Sequence, residues 1–241
     1  MDRNKTAHMA GFTLVEFMIA MVVSGLIMAA VYSAYIVQQR TATAQDQVTV
    51  MQQNIRSAMV ILGRDLRMAG FDPTNDAGAG LLANATFSNG GGLEEVVTSS
   101  PTTIAFTVDL DGDGTIDKAV EDINGDGNND MSEMEQVAYR LNGTNLQRYA
   151  TTTGVIEWQT VAENIEFIEF SYLDEDGNVT ADFDEIRAVD VSILVRAANP
   201  DQKFLNKGTY TMASGASQAV NDQYRRRLST TRVKLRNMGL L

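Results

Sequence analysis

Two runs of side-chain oxygens could do chemistry in this sequence, and what they could do is hold a hard cation. Asp109-Leu-Asp-Gly-Asp-Gly-Thr-Ile-Asp117 is followed by Asp122-Ile-Asn-Gly-Asp-Gly-Asn-Asn-Asp130, so positions 109, 111, 113, 114 and 117 recur at 122, 124, 126, 127 and 130. Ca²⁺ takes about 6–8 oxygens at about 2.3–2.6 Å, and alternate residues of a tight loop deliver them. The glycine after the third ligand permits the sharp turn. In the second copy Asp122, Asn124, Asp126 and Asp130 offer side chains, Asn128 a backbone carbonyl and Glu133 the closing carboxylate, completing D-x-N-x-D-G-x5-E. The first copy offers Asp109, Asp111, Asp113, Thr115 and Asp117, but Val120 stands at its closing position, where Glu121 or Asp122 would have to substitute. The expectation is one or two Ca²⁺ ions and no organic cofactor. The competing reading is an acidic, Gly-rich solvated loop. Repulsion among carboxylates a few ångströms apart favours the ion.

Charge distribution sharpens that reading. The formal net charge is −12, yet Asp109–Glu135 alone contains ten acidic residues and one lysine, leaving only −3 for the rest. One segment, not the whole surface, calls for a counter-charge. The single histidine, His8, lies near the N-terminus and there is no cysteine, so His- or thiolate-based catalysis in the body is excluded, and no disulfide can form. No phosphate-binding loop is present. The chain reads as a substrate of an enzyme and not as an enzyme.

A second chemical feature is Glu16. Residues 1–11 are polar, with Arg3 and Lys5, whereas Phe12–Val37 carries one charge, Glu16. About 20 apolar residues suffice to cross the hydrocarbon core as a helix. Positive charges before the span, with only Arg40 soon after it, favour a cytoplasmic N-terminus. A secretory signal would put its small-residue cleavage site after the apolar run; here Gly11 precedes it. A carboxylate in such a segment costs a few kcal/mol unless it is paired or near the interface. Glu16 could snorkel, or it could pair with a new α-amino group at Phe12 if the chain were cut there.

These features need elements to position them. Val48, Met51, Ile55, Met59, Leu62 and Leu66 recur at helical spacing, with no proline before Pro73, and Gly70 suits a C-cap. One helix over 12–69 would be about 85 Å long at ~1.5 Å per residue. Beyond a Gly- and Asn-rich connection (75–92) the period becomes two, giving candidate strands at 94–98, 104–109, 135–141, 145–150, 155–161, 164–173, 186–196 and 231–236. Val189, Val191, Ile193 and Val195 alternate with Asp190, Ser192, Leu194 and Arg196, which predicts one buried face. Asp174–Asn178 reads as a turn. The fold class is α+β: a long N-terminal helix packed on an antiparallel β-sheet domain. The calcium loops would be grafted on strands as a structural staple.

Gly11-Phe12-Thr13-Leu14-Val15-Glu16 resembles the prepilin cleavage and methylation motif of type IV pilins and type II secretion pseudopilins. The resemblance implies cutting by a prepilin peptidase between Gly11 and Phe12, methylation of Phe12, and a role for Glu16 in neutralising a Phe12 amine during assembly. Segments 51–73, 162–179, 186–197 and 225–237 are similar to PilW-type minor pilins, with J-type minor pseudopilins next. The implied organisation is a cleaved leader (1–11), a transmembrane and assembly helix (12–37), an amphipathic helix (38–70) and a β-rich pilin-like domain (71–241) with the acidic insertion at about 109–134. The implied partners are other pilin and minor pilin subunits, prepilin peptidase/methyltransferase, an inner-membrane assembly platform and inner-membrane lipid. The implied place is the bacterial inner membrane, single-pass with the globular domain in the periplasm, then the pilus at the cell surface.

Arg225, Arg226, Arg227, Arg232, Lys234 and Arg236 form a basic run whose charges alternate with Val233 and Leu235. It reads as a solvated strand face, as a contact for an acidic neighbouring subunit, or as a nucleic-acid site. No aromatic interleaving supports the last, so nucleic acid is not expected. The functional expectation is a minor pilin that primes or modulates type IV pilus assembly. The alternatives are a minor pseudopilin of a type II secretion system and a calcium-dependent tip adhesion or DNA-binding module.

Overall fold

A computed structural model describes residues 12–88, 94–116, 135–152 and 155–238. The chain forms two compact units, Met1–Asp46 and Gln47–Leu241, and helix α1 (Leu14–Met68) contributes to both. In the first unit the apolar side chains of Phe12–Val37 are exposed, apart from half-buried Ile36, an apolar surface of an extent that marks an interaction site. Thr41 and Thr43 donate their hydroxyls to the carbonyls of Val37 and Gln39, one turn back, which lets polar residues continue the helix.

The second unit is built around the expected helical stripe. Met51, Ile55, Leu62 and Leu66 are buried, Val48 and Met59 half-buried, and Ala58 and Ala69 extend the stripe. Full burial of a leucine such as Leu62 contributes roughly 1.5–3 kcal/mol. The stripe packs on two antiparallel sheets. One has the order β3-β4-β5-β6, from β3 (Thr103–Thr107), β4 (Gln136–Asn142), β5 (Asn145–Thr152) and β6 (Val155–Ala162). The other has the order β11-β8-β7, from β7 (Ile165–Leu173), β8 (Ala188–Arg196) and β11 (Arg226–Lys234). Backbone bonds Phe170 N–H to the Pro101 carbonyl (2.7 Å) and Ile165 N–H to the Thr144 carbonyl (2.9 Å) stitch the sheets together. Ile104, Phe106, Tyr139, Ile168, Val191 and Ile193 meet the helix in one core.

Three elements went unread in the sequence. The connection at 75–92 contains β1 (Asn84–Ser88), which pairs with β2 (Glu94–Thr98). This hairpin puts Ala85, Phe87 and Val97 on the outer face of the first sheet, against Ala105, Ala138 and Tyr149. β9 (Thr209–Thr211) and β10 (Ser217–Ala219) have three residues each and show no apolar alternation. The last strand starts earlier than the expected 231 because Arg226–Thr230 pair with β8 although mostly polar.

The one-face prediction for β8 needs correction. Ser192 and Leu194, on the supposedly solvated face, are as inaccessible as Val191 and Ile193. The segment between β8 and β11 covers them: buried Met212 lies there, Ala213 N–H donates to Ser192 Oγ (3.1 Å), and Ser214 Oγ donates to buried Glu169 (2.7 Å). The other local expectations agree. Gly70 ends the helix at φ +73, a left-handed conformation that glycine adopts without strain. Asn237 donates from its side chain to the carbonyls of Arg67 (3.2 Å) and Met68 (3.3 Å), satisfying the last turn. Asp174–Asn178 closes a turn with Gly177 at φ +84.

Candidate functional site

The helix start is organised by a reciprocal cap. Thr13 Oγ1 accepts from Glu16 N–H (3.3 Å), while the Glu16 carboxylate accepts from Thr13 N–H and from its hydroxyl (2.9 Å each). This is the capping-box pattern, with Thr at the cap and Glu three residues on. The sequence reading assigned Glu16 a partner charge and missed this local task, although T-x-x-E was legible. Phe12 is 88% exposed beside it. Gly11, the other half of the expected cut, lies outside the described residues. The Glu16 carboxylate is thus held at the backbone N–H of Thr13, the residue after Phe12, and it borders an exposed apolar surface.

The acidic segment is described through Ile116. The oxygens offered by Asp109, Asp111 and Asp113 lie within 4.8 Å of one another. Buried Asp109 accepts from Gly112 N–H (2.7 Å) and Gly114 N–H (3.2 Å), and Asp111 accepts from Asp113 N–H (3.1 Å). Thr115 donates both N–H (2.8 Å) and hydroxyl (2.7 Å) to Asp113. Gly112 and Gly114 sit at φ +76 and +84, which explains their place in the motif. Glu135, buried at the start of β4, accepts from Leu110 N–H (2.6 Å) and fastens the loop to the sheet; its role was not anticipated. Asp117 and the whole second copy, Asp122, Asn124, Asp126, Asn128, Asp130 and Glu133, lie outside the described residues.

Half of the basic run is neutralised from within. Arg225 pairs with Asp201 (2.9 Å) and stacks on Phe204, and Arg232 makes two bonds to Asp190 (2.8 Å each). Arg226, with its side chain 2% exposed, is clamped between Glu166 and Asp222. The bonds from Arg226 hold Asp222 down at about 2, and bonds from Asp222 and Glu166 raise Arg226 further into its charged range. Arg227, Lys234 and Arg236 make no ion pair among the described residues. A phosphate backbone would therefore meet three free cations of the six.

Asp65 is the polar residue that sequence reading passed over. It stands on the buried stripe, one helical step from Leu62 and Ala69, and is only 6% exposed. Tyr139 Oη on β4 and Arg148 Nε on β5 both donate to its Oδ2 at 2.6 Å, tying helix to sheet. Burial, then the Asp65 charge, pushes the Tyr139 hydroxyl well above its ordinary range. The signal was an acid at an apolar position, the same argument that had singled out Glu16.

With this geometry in view, similarity to known proteins can be placed on it. Residues 136–237 match the family described as Type IV Pilus-assembly protein W, and residues 7–32 match the prokaryotic N-terminal methylation motif. The first match runs from β4 to the cap residue Asn237; the second spans Gly11, Phe12 and Glu16. Among solved structures, a type IV-like pilin from Thermus thermophilus is similar at 15% identity and a TM-score of 0.42, covering 81% of this chain and 98% of that one. No curated protein matches the chain.

Proposed function

Since this chain is a type IV pilin-like protein with a PilW-type C-terminal region and a methylation-motif N-terminus, we propose that it is a minor pilin that primes or modulates pilus assembly. The carrying observation is the apolar surface of Phe12–Val37, exposed at every large apolar residue but Ile36 and headed by the Thr13–Glu16 cap beside Phe12. A surface of that extent has no soluble explanation and needs lipid or neighbouring helices. In this reading prepilin peptidase cuts between Gly11 and Phe12 and the new amine is methylated. Glu16 then compensates a Phe12 amine, its own or a neighbour's, as the helix leaves the inner membrane for the fibre. The globular part sits in the periplasm, beside other pilin subunits and the assembly platform. The protein is a structural subunit and performs no catalysis.

A deletion strain scored for surface pili, twitching and protein secretion tests this reading. Loss of pili or twitching is expected, restored by the wild-type gene and not by Glu16→Ala. Normal behaviour in all three assays overturns it. Loss of secretion alone would instead favour the pseudopilin alternative, in which the fibre acts as a piston.

For the acidic segment the proposal is a Ca²⁺ staple. The oxygens of Asp109, Asp111 and Asp113, all within 4.8 Å of one another and with Thr115 next to them in the loop, fit a hard cation, which would neutralise mutually repelling carboxylates there. The second copy supplies the complete ligand set by sequence. Calorimetric titration of the full chain in detergent with Ca²⁺ should show binding and a raised melting temperature. Asp126→Ala with Glu133→Ala should abolish most of that effect; no calcium response in the wild type refutes the staple.

A further inference from the structure

β11 is the terminal strand of its sheet, bonded to β8 along Arg226–Lys234. No described residue bonds to the backbone of its other edge between Arg226 and Lys234. An unpaired edge nine residues long is a template for another strand. Its side chains are unusual as well. The face that meets the helix carries Arg227, Ser229, Thr231 and Val233, and only Val233 is buried.

Helix and strand flank a groove. At one end Val48, Met51, Phe204 and Tyr210 line a slot of about 220 Å³ with Arg225 and Arg227 at its rim. At the other end a Cβ placed on Gly63 would lie 4.0 Å from the Val233 side chain, so helix and strand approach each other there. From Met51 to Gly63 the helix rises about 18 Å at ~1.5 Å per residue. From Arg227 to Val233 the strand advances about 20 Å at ~3.3 Å per residue, so the two run side by side. Val60, one turn before Gly63 on the same helical stripe, is 62% exposed. Arg56 lies on that stripe too, and Arg56, Arg227, Lys234 and Arg236 make no ion pair among the described residues.

We infer that this groove and the β11 edge receive an extended acidic segment of a neighbouring subunit, which joins the sheet as a further strand. The partner's identity as a pilin-type subunit rests on the function proposed above; its chemistry rests on the groove alone. Backbone pairing supplies the attachment, and alternate carboxylates of the incoming strand face Arg227 and the hydroxyls of Ser229 and Thr231. The basic edge at the same time repels a second β11, which keeps like edges from pairing.

The test uses the full chain in detergent and a labelled peptide, acetyl-Thr-Glu-Val-Glu-Val-Glu-Thr-amide, with a lysine-for-glutamate peptide as control. Saturable binding of the acidic peptide is expected, weakened at least tenfold by Arg227→Glu and by raised salt, with slowed hydrogen exchange of amides in 226–234. Arg227 is exposed and unpaired, so R227E should melt like the wild type; if it does not, Arg236→Glu provides the same charge test outside the strand. Equal binding of both peptides, or binding without amide protection, overturns the inference. A strain that loses pili while its protein ignores the peptide refutes this inference alone; one that keeps pili, twitching and secretion on deletion refutes the minor-pilin reading and leaves peptide binding intact.

Discussion

Replacing Asp65 by alanine would remove the acceptor through which the side chains of Tyr139 and Arg148 tie helix α1 to the β4–β5 pair. Tyr139 is fully buried, and stranding its hydroxyl costs about 1–3 kcal/mol. Removing one partner of a buried ion pair costs roughly 3–5 kcal/mol. The Arg148 side chain is 26% exposed and can recover water, which brings its share down to about 1–2 kcal/mol. Arg64, at 73% side-chain exposure, adds nothing measurable. The expected loss is therefore about 3 kcal/mol. For a domain of this size that lowers the melting temperature by about 6–12 °C, at roughly 2–4 °C per kcal/mol. The assay is urea unfolding followed by Trp158, the only tryptophan, whose ring packs 5.1 Å from Tyr149, the neighbour of Arg148. Tyr139→Phe should cost less than Asp65→Ala, and the two should be non-additive because they share one network. The triple change Asp65→Leu, Tyr139→Phe, Arg148→Met should recover much of the loss, since apolar replacements of a buried network are often tolerated. An Asp65→Ala variant within 1 kcal/mol of the wild type, or strictly additive changes, would refute the view that this network anchors the helix.

Three further outcomes follow from the same structure. Asp222 titrates near 2 because Arg226 bonds to it, so it contributes stability that is full above the ordinary carboxylate range and is lost as pH falls from about 4 toward 2. Acid unfolding of Asp222→Asn should show a shallower decline across that window; an unchanged profile would deny the coupling. Gly70→Ala meets both a φ of +73 and the Met238 sulfur 2.8 Å from the new Cβ, and should cost at least about 1 kcal/mol in the same urea assay, where no change would refute the strain. Asn237→Ala uncaps the carbonyls of Arg67 and Met68, and should speed hydrogen exchange in the last helical turn with about 1 kcal/mol lost overall; unaltered exchange would show that water caps the helix equally well.

How much of this was legible depends on whether the determining interaction was local. The helix stripe Met51–Ile55–Leu62–Leu66, the Gly70 terminus and the Asp174–Asn178 turn all follow from spacing, glycine conformation and capping within a few residues. The strands β2 to β8 were read to within two residues because apolar alternation marks extended chain, although in β8 it did not report which face is buried. β1 escaped because Asn84–Ser88 carries only Ala85 and Phe87 as apolar signal, and that signal acquires meaning only against Tyr149 and Ala105 on a sheet formed later in the chain.

The N-terminal end of the molecule is sequence-determined: Gly11, Phe12 and Glu16 at their spacing, heading an apolar run, fall within the match to the N-terminal methylation motif, and the exposed helix follows without any long-range contact. The acidic repeat is likewise a sequence property, since the spacing of its carboxylates within a loop is local. The tertiary structure decided which charges are free. Asp190, Asp201, Asp222 and Glu166 come from distant segments to neutralise Arg232, Arg225 and Arg226, and Asp65 meets Arg148 across 83 positions. Coulomb attraction acts between neighbours in space, so a run of six basic residues could become three paired and, among the described residues, three without an ion pair only once the sheet was folded.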